Sequence, residues 1–143
     1  MTEETPRHSV SVTGVVIRPD DGKVLVIKRS DDGRWVPPGG VMELEETPEQ
    51  CVVREVREET GIEAKPLRLT GVYKNMKLGV VSLAFLCEPL GGELRTSSES
   101  IFAEWLSCED AIALCPEARG IRIEDALVKD GPRVRVHNGS ILL

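Results

Sequence analysis

Aromatic residues make up only 3% of this 143-residue chain: two Trp, two Phe and one Tyr. Its core must therefore be built mostly from Val, Leu, Ile and Ala. A basic excess is also missing. The formal net charge is -6, which speaks against a nonspecific DNA or RNA binder. An acidic protein still binds phosphates when metal ions bridge the two negative partners. Cys51, Cys87, Cys108 and Cys115 form no CxxC pair, and only His8 and His137 could join them around zinc. Free thiols in a reducing, cytoplasmic setting are the expectation, rather than zinc or disulfides. Long apolar runs are absent too. The longest, Leu78 to Cys87, falls far short of the roughly 20 residues a membrane helix needs. Met1 to Pro6 lacks a basic region followed by an apolar core, so no signal peptide is expected. No internal repeat or low-complexity tract is present.

What the chain does have is a composition ordinary for one globular domain, 41% hydrophobic and 29% charged. Residues 1–143 match the usual domain size of about 100–150 residues. His8 to Arg18 and Lys23 to Arg29 are apolar runs joined by Pro19-Asp20-Asp21-Gly22, which predicts a β-hairpin. Ser30 to Gly40 reads as loop. Thr47, Pro48 and Gln50 form a helix start with a capping box, and Gly61 stands where a left-handed cap ends it. Strands are expected at Pro66 to Lys74 and Leu78 to Cys87, with a loop at Pro89 to Gly92. A short strand at Ile101 to Leu106 precedes helices at Glu109 to Leu114 and Ile121 to Val128. Asn138-Gly139 predicts a second hairpin within Arg133 to Leu143. The class is α/β or α+β, with one mixed sheet covered by helices.

The capped helix carries Arg54-Glu55-Val56-Arg57-Glu58-Glu59. Residues three and four apart share a helix face, so Glu55 is expected beside both Glu58 and Glu59. Val52, Val53 and Val56 form the neighbouring apolar arc. Three converging carboxylates are locally unfavourable: each like-charge pair costs roughly 0.2–0.5 kcal/mol. Anions in the last helical turn add roughly 0.3–1 kcal/mol. Arg54 and Arg57 offset part of this. A hard divalent cation would offset more, since oxygen-only ligands suit Mg²⁺ or Mn²⁺. Taken alone, such a cluster is more often a solvated acidic face.

The wider spacing points elsewhere. From Gly40 through Glu46, Arg54-Glu55, Glu58-Glu59 and Gly61 to Ile62, every fixed position resembles the Nudix box, and Trp35-Val36-Pro37-Pro38-Gly39-Gly40 resembles that family's lead-in. The resemblance implies the Nudix fold, an α/β/α sandwich with a mixed sheet and a loop-helix-loop box. It implies hydrolysis of a phosphoanhydride bond in a nucleoside diphosphate linked to another group. Glu55, Glu58 and Glu59 would be metal ligands, joined by the Gly40 carbonyl, while Glu46, Arg54 and Gly61 would hold the shape of the box. The general base would be Glu59 or a loop acid, Glu99 first and Glu104 second. Arg29 is a candidate for phosphate and Tyr73 for a base, although core packing suits Tyr73 better. Trp35 is expected under the Gly39-Gly40 loop, and Trp105 in the core.

The expected partner is a small-molecule nucleotide, without membrane or nucleic acid. No proline stands around Met76-Lys77-Leu78, where some ADP-ribose-hydrolysing relatives carry one. Tyr73 comes too early for the tyrosine often found in diadenosine-polyphosphate members. Both absences lean toward a nucleoside triphosphate. ADP-ribose, nucleotide sugars and dinucleotide polyphosphates stay open, as does a non-enzymatic nucleotide sensor. Many Nudix proteins are homodimers, and a hairpin at Asn138-Gly139 would offer a sheet edge for one.

Overall fold

The computed structural model describes residues 4–143; Met1 to Glu3, part of the amino-terminal stretch considered above, lie outside the described residues. The chain forms two sheets. Strand β1 (Ser9–Val16) sits inside a five-stranded mixed sheet between β4 (Gly39–Val41) and β6 (Val80–Gly92), followed by β5 (Ile62–Asn75) and the edge strand β8 (Arg133–His137). Strand β2 (Val24–Arg29) lies between β3 (Trp35–Val36) and β7 (Ser100–Leu106) in a three-stranded sheet. Helix α1 (Pro48–Thr60) follows β4, and α2 (Cys108–Leu114) and α3 (Glu117–Leu127) follow β7.

The valine-rich β1 explains the layering. Successive side chains of a strand point to opposite faces. Val12 and Val16 enter a core with Cys51, Val52 and Val56 of α1. Val15 enters a second core with Ala111 and Cys115 beside α2 and with Ile123 and Ala126 of α3. The β1 sequence alternates Ser and Val at the start and closes on Val15-Val16, and burial on both faces begins at Val12. Each fully buried Val stabilises by roughly 1.5–3 kcal/mol. Gly14 sets how closely α1 approaches: a Cβ there would stand 2.8 Å from Val56 Cγ2 and 3.0 Å from Val52 Cγ2. The expected α/β/α sandwich is the observed fold.

Several local expectations give way to tertiary pairing. The turn at Pro19 to Gly22 forms, closed by Ile17 opposite Val24 and by Arg18 N–H donating to the Lys23 carbonyl at 2.8 Å. Its strands then part, β1 into one sheet and β2 into the other, so there is no extended hairpin and no single sheet. Residues 30–40, expected as loop, contain β3 and the start of β4. Pro89 to Gly92 belong to β6 because β5 begins at Ile62 and supplies partners, Ala64 opposite Pro89 and Ile62 opposite Gly92. Helix α3 begins at Glu117, before the expected Ile121. After β8 the chain turns at Asn138-Gly139 but makes a single bridge, His137 to Leu142, while β8 itself runs parallel to β5. Trp35 does not sit under the glycine loop; it stacks on Phe102 with ring centroids 6.2 Å apart and packs against the second core. Trp105 is half-buried beside the first core, with the Arg18 guanidinium 4.7 Å above its ring.

Candidate active site

Helix α1 terminates as its sequence dictates. Thr47 Oγ1 accepts from Gln50 N–H at 3.2 Å, and Gln50 Oε1 accepts from Thr47 N–H at 2.9 Å. Gly61 takes the left-handed conformation with φ 81°. These ends hold the helix in register on β1. Cys51, Val52, Glu55, Val56 and Glu59 fall on its buried face. Glu55 and Glu59, one turn apart, are therefore carried inward with the valines, beyond the edge of the apolar face where the helical spacing had put them.

They face a cleft of about 630 Å³, also lined by Gly39, Gly40, Arg29 and Glu99. Glu59 is 5% exposed and Glu55 7%. Glu59 Oε1 accepts from Gly39 N–H at 2.9 Å, and Glu55 Oε1 accepts from Arg54 Nη1 at 2.9 Å. Burial pushes both carboxyls above the ordinary carboxylate range. The Gly39 N–H opposes this for Glu59, while Glu55 and Glu99, as like charges, reinforce it. For Glu55, Arg54 opposes the rise. Gly40 leaves the Glu55 carboxylate open, since a Cβ there would lie 2.5 Å from its Cδ.

Glu58 does not converge with them. Its side chain is 56% exposed and accepts from Arg54 Nη1 at 3.3 Å. Among the described residues no three His, Cys, Asp or Glu side chains stand together as a ready-made metal cage. Arg54 Nη1 bridges Glu55 Oε1 and Glu58 Oε2, so Glu58 stays beside Glu55 as helical spacing implies, but at the solvent edge, while Glu55 and Glu59 face the cleft. The two buried carboxylates still suit a hard divalent cation. They supply oxygen donors, carry more negative charge than their hydrogen bonds offset, and adjoin the open side of Gly40.

Arg54 braces the site. Its Nε and Nη2 donate to Glu46 Oε2 and Oε1 at 3.0 and 2.6 Å, joining the loop before α1 to the helix. The same guanidinium holds Glu46 down at a pKa of about 2. The family resemblance implied the Glu46–Arg54 pair, and Arg54 also reaches Glu55 and Glu58, whose repulsion it was expected to offset.

The other candidates separate cleanly. Glu99 reaches the cleft because its loop is tied to α1: Ser100 Oγ donates to the Glu59 carbonyl at 2.6 Å, and Ser30 N–H donates to the Glu99 carbonyl at 3.0 Å. Glu104 lies exposed on β7 opposite Val26 and does not line the cleft. Arg29 lines the cleft and pairs with Asp31, its Nε donating to Oδ1 at 2.9 Å. Tyr73 cannot stack on a base. It is fully buried, lies against Gly71 and donates its hydroxyl to Asp125 Oδ2 at 2.7 Å. The sequence reading missed Asp31 and the Gly39 N–H. It also missed Arg119 and Arg122, which line a second cavity running to Glu59. Starting α3 at Ile121 had left Arg119 outside the helix, which concealed their spacing on one face.

This geometry has known counterparts. The NUDIX domain profile matches residues 8–125. A MutT-like protein of Streptomyces ambofaciens is 53% identical over 138 residues, covering 96% of this chain and 89% of that protein. An ADP-ribose pyrophosphatase of Methanocaldococcus jannaschii is 38% identical over 104 residues, covering 68% of this chain and 60% of that protein. The crystal structure of an ADP-ribose pyrophosphatase from Streptococcus suis superposes with a TM-score of 0.73 at 23% identity, covering 92% of this chain and all of that one, and speaks to the fold alone. With the profile spanning most of its length and a streptomycete relative matched almost end to end, this protein belongs to the Nudix family.

Proposed function

We propose that residues 1–143 form one Nudix hydrolase domain that cuts a phosphoanhydride bond in a nucleoside diphosphate linked to another group, with a nucleoside triphosphate as the leading substrate. The observation that carries this reading is the pair of buried, like-charged carboxylates, Glu55 and Glu59, facing an open cleft. Burying two adjacent carboxylates with few partners is costly, and a cation-dependent site gives that cost a purpose. Glu55, Glu59 and the Gly40 carbonyl would hold Mg²⁺ or Mn²⁺, with Glu58 joining once its side chain leaves Arg54. When bound, the metal neutralises the diphosphate and acidifies an attacking water.

The chain's own groups do the rest. Arg29 meets a phosphate oxygen from the rim. Glu59 or Glu99 takes the proton of the attacking water, Glu59 from the helix and Glu99 from the loop tied down by Ser100. Arg54 keeps Glu55 oriented through the Glu46 brace. The archaeal relative's name supports a second reading, ADP-ribose as substrate. A third, non-enzymatic nucleotide sensing, is less consistent with an intact box. The four cysteines are free, which accords with a cytoplasmic setting.

A panel of nucleoside triphosphates, ADP-ribose, nucleotide sugars and dinucleotide polyphosphates, incubated with Mg²⁺ or Mn²⁺, tests this. The expected result is release of pyrophosphate or monophosphate from at least one member, fastest for a triphosphate. No turnover by folded, metal-loaded protein would sink the hydrolase reading. Tight nucleotide binding without turnover would establish the sensor. Comparing Glu59→Gln with Glu99→Gln at saturating metal identifies the base: the true base loses kcat together with the acidic limb of its pH profile, whereas loss of a metal ligand alone raises the metal concentration needed.

A further inference from the structure

Glu99 lines the cleft from a segment, Ser97-Ser98-Glu99-Ser100, whose composition is that of a solvated turn. Its side chain is exposed, yet its backbone is held on both sides. The Glu99 N–H donates to Ser97 Oγ at 3.1 Å, and the Glu99 carbonyl accepts from Ser30 N–H at 3.0 Å. Ser30 Oγ donates in turn to the Ser98 carbonyl at 2.8 Å. Ser97 Oγ also accepts from Ser100 N–H at 3.1 Å and lies 3.0 Å from Ser100 Oγ. Ser100 is fully buried, and its Oγ lies 2.6 Å from the Glu59 carbonyl.

Proton counting fixes the direction of these bonds. A hydroxyl has one proton to donate and two sites that accept. A carbonyl only accepts, so Ser100 gives its proton to Glu59. The bond between the two serine hydroxyls must then be donated by Ser97. Ser97 Oγ thus uses its one donor and both acceptor sites. A single chain results: Glu99 N–H to Ser97, Ser97 O–H to Ser100, and Ser100 O–H to the carbonyl of Glu59. Hydrogen bonds aligned in this way polarise and strengthen one another. The chain ends in the last turn of α1, where carbonyls have no partner within the helix. Arg95 occupies two more of them: its N–H donates to the Thr60 carbonyl at 2.9 Å and its Nη2 to the Arg57 carbonyl at 3.2 Å. The segment before β7 therefore stands where the next turn of α1 would have been.

We propose that Ser97 and Ser100 are positioning residues for hydrolysis. Their hydroxyl chain fixes Glu99 relative to Glu59, so that the loop acid and the helix acid meet the same substrate. The proposal rests on the reading of the cleft as the hydrolytic site. Ser97 is the position to vary, because it is only half-buried and accommodates the extra methyl of Thr, whereas Ser100 is fully enclosed.

Steady-state assays with Mg²⁺ and the nucleoside triphosphate cleaved fastest test this. Ser97→Ala should lower kcat about 10-fold, the worth of one hydrogen bond, with KM little changed, and Ser97→Thr should restore it. In a Glu99→Gln background Ser97→Ala should cost nothing further, because the chain acts through Glu99. Amide hydrogen exchange followed by nuclear magnetic resonance gives a readout independent of turnover. In wild type the Glu99 and Ser100 amides should be protected much as the Gly61 amide, which donates to the Arg57 carbonyl. In Ser97→Ala they should exchange about 10-fold faster while Gly61 is unchanged. Exchange of these two amides at open-loop rates in wild type would overturn the chain, even if Ser97→Ala failed to fold. So would an unaltered kcat in Ser97→Ala, or a loss as large in the Glu99→Gln background as in wild type. Protected amides in a wild type that hydrolyses no nucleotide would remove the hydrolase reading and the positioning role with it. Turnover with kcat unaltered in Ser97→Ala would remove the positioning role alone.

Discussion

Helices α1 and α3 both bury charge against the central sheet, but they are built in opposite ways. Helix α1 is defined by its own residues: a reciprocal cap at Thr47 and Gln50, a left-handed glycine at its end, and Arg54 beside its buried carboxylates. Helix α3 starts after Pro116 without a side-chain cap, and its buried cation is satisfied by distant hydroxyls on β1 and β6. One end of the molecule is locally specified and anionic; the other is assembled by tertiary contacts and cationic.

The comparison breaks most visibly at Glu59. Glu59→Gln keeps the Gly39 hydrogen bond, because a Gln carbonyl also accepts. It should nonetheless lower kcat by about 100- to 10,000-fold, the worth of a positioned proton acceptor, in steady-state assays with Mg²⁺. Arg54→Ala should be next. It leaves Glu55 and Glu46 without their shared cation, and urea unfolding should show a loss of about 2–4 kcal/mol. An unchanged midpoint would mean that the brace holds nothing.

The carboxylates of α1 and His137 of β8, which lies against Arg122 of α3, should also answer pH with opposite signs. Glu55 and Glu59 have raised folded pKa values, so the native state retains protons that the unfolded chain has released. Stability of the metal-free protein should therefore fall as pH rises from about 4.5, the unfolded value, toward about 8, where Glu59 releases its proton in the folded state, and Glu59→Gln should flatten this slope. His137, beside Arg122, is pushed down to about 4 by burial first and then by Arg122 and Arg119. The unfolded chain takes up that proton first. Its contribution should be lost as pH falls from about 6.5 toward 4, and His137→Gln should remove that dependence. Thermal unfolding across pH in EDTA would resolve both limbs. The smallest effect should come from Thr47→Ala, which removes one cap bond at a cost of about 1 kcal/mol and leaves the His137 limb untouched.

The contrast also explains what could be read in advance. Thr47, Gln50, Gly61 and the Glu46–Arg54 spacing were legible because each acts within one helix or across one short loop. Helical spacing placed Glu58 beside Glu55, and Arg54 Nη1 does bridge the two; what spacing did not give is that Glu58 stays at the solvent edge while Glu55 and Glu59 face the cleft. Pro89 to Gly92 carry turn residues, yet β5 captures them as strand. Core packing was the better expectation for Tyr73 and it is buried, but nothing local marked Asp125, 52 residues away, as its partner. Arg119 and Arg122 were invisible as a pair, since no local signal marks where α3 begins.

The amino-acid sequence by itself determined the capped glutamate helix, its family resemblance and the valine strands that bury it, since these follow from backbone capping and side-chain periodicity. The tertiary structure alone decided that Glu99 and not Glu104 meets the buried carboxylates, and that Arg119 and Arg122 line a cavity shared with Glu59. Those outcomes depend on partners 40 or more residues apart, such as Ser100 on Glu59 or Thr13 on Arg122, whose proximity exists only once the sheets have formed.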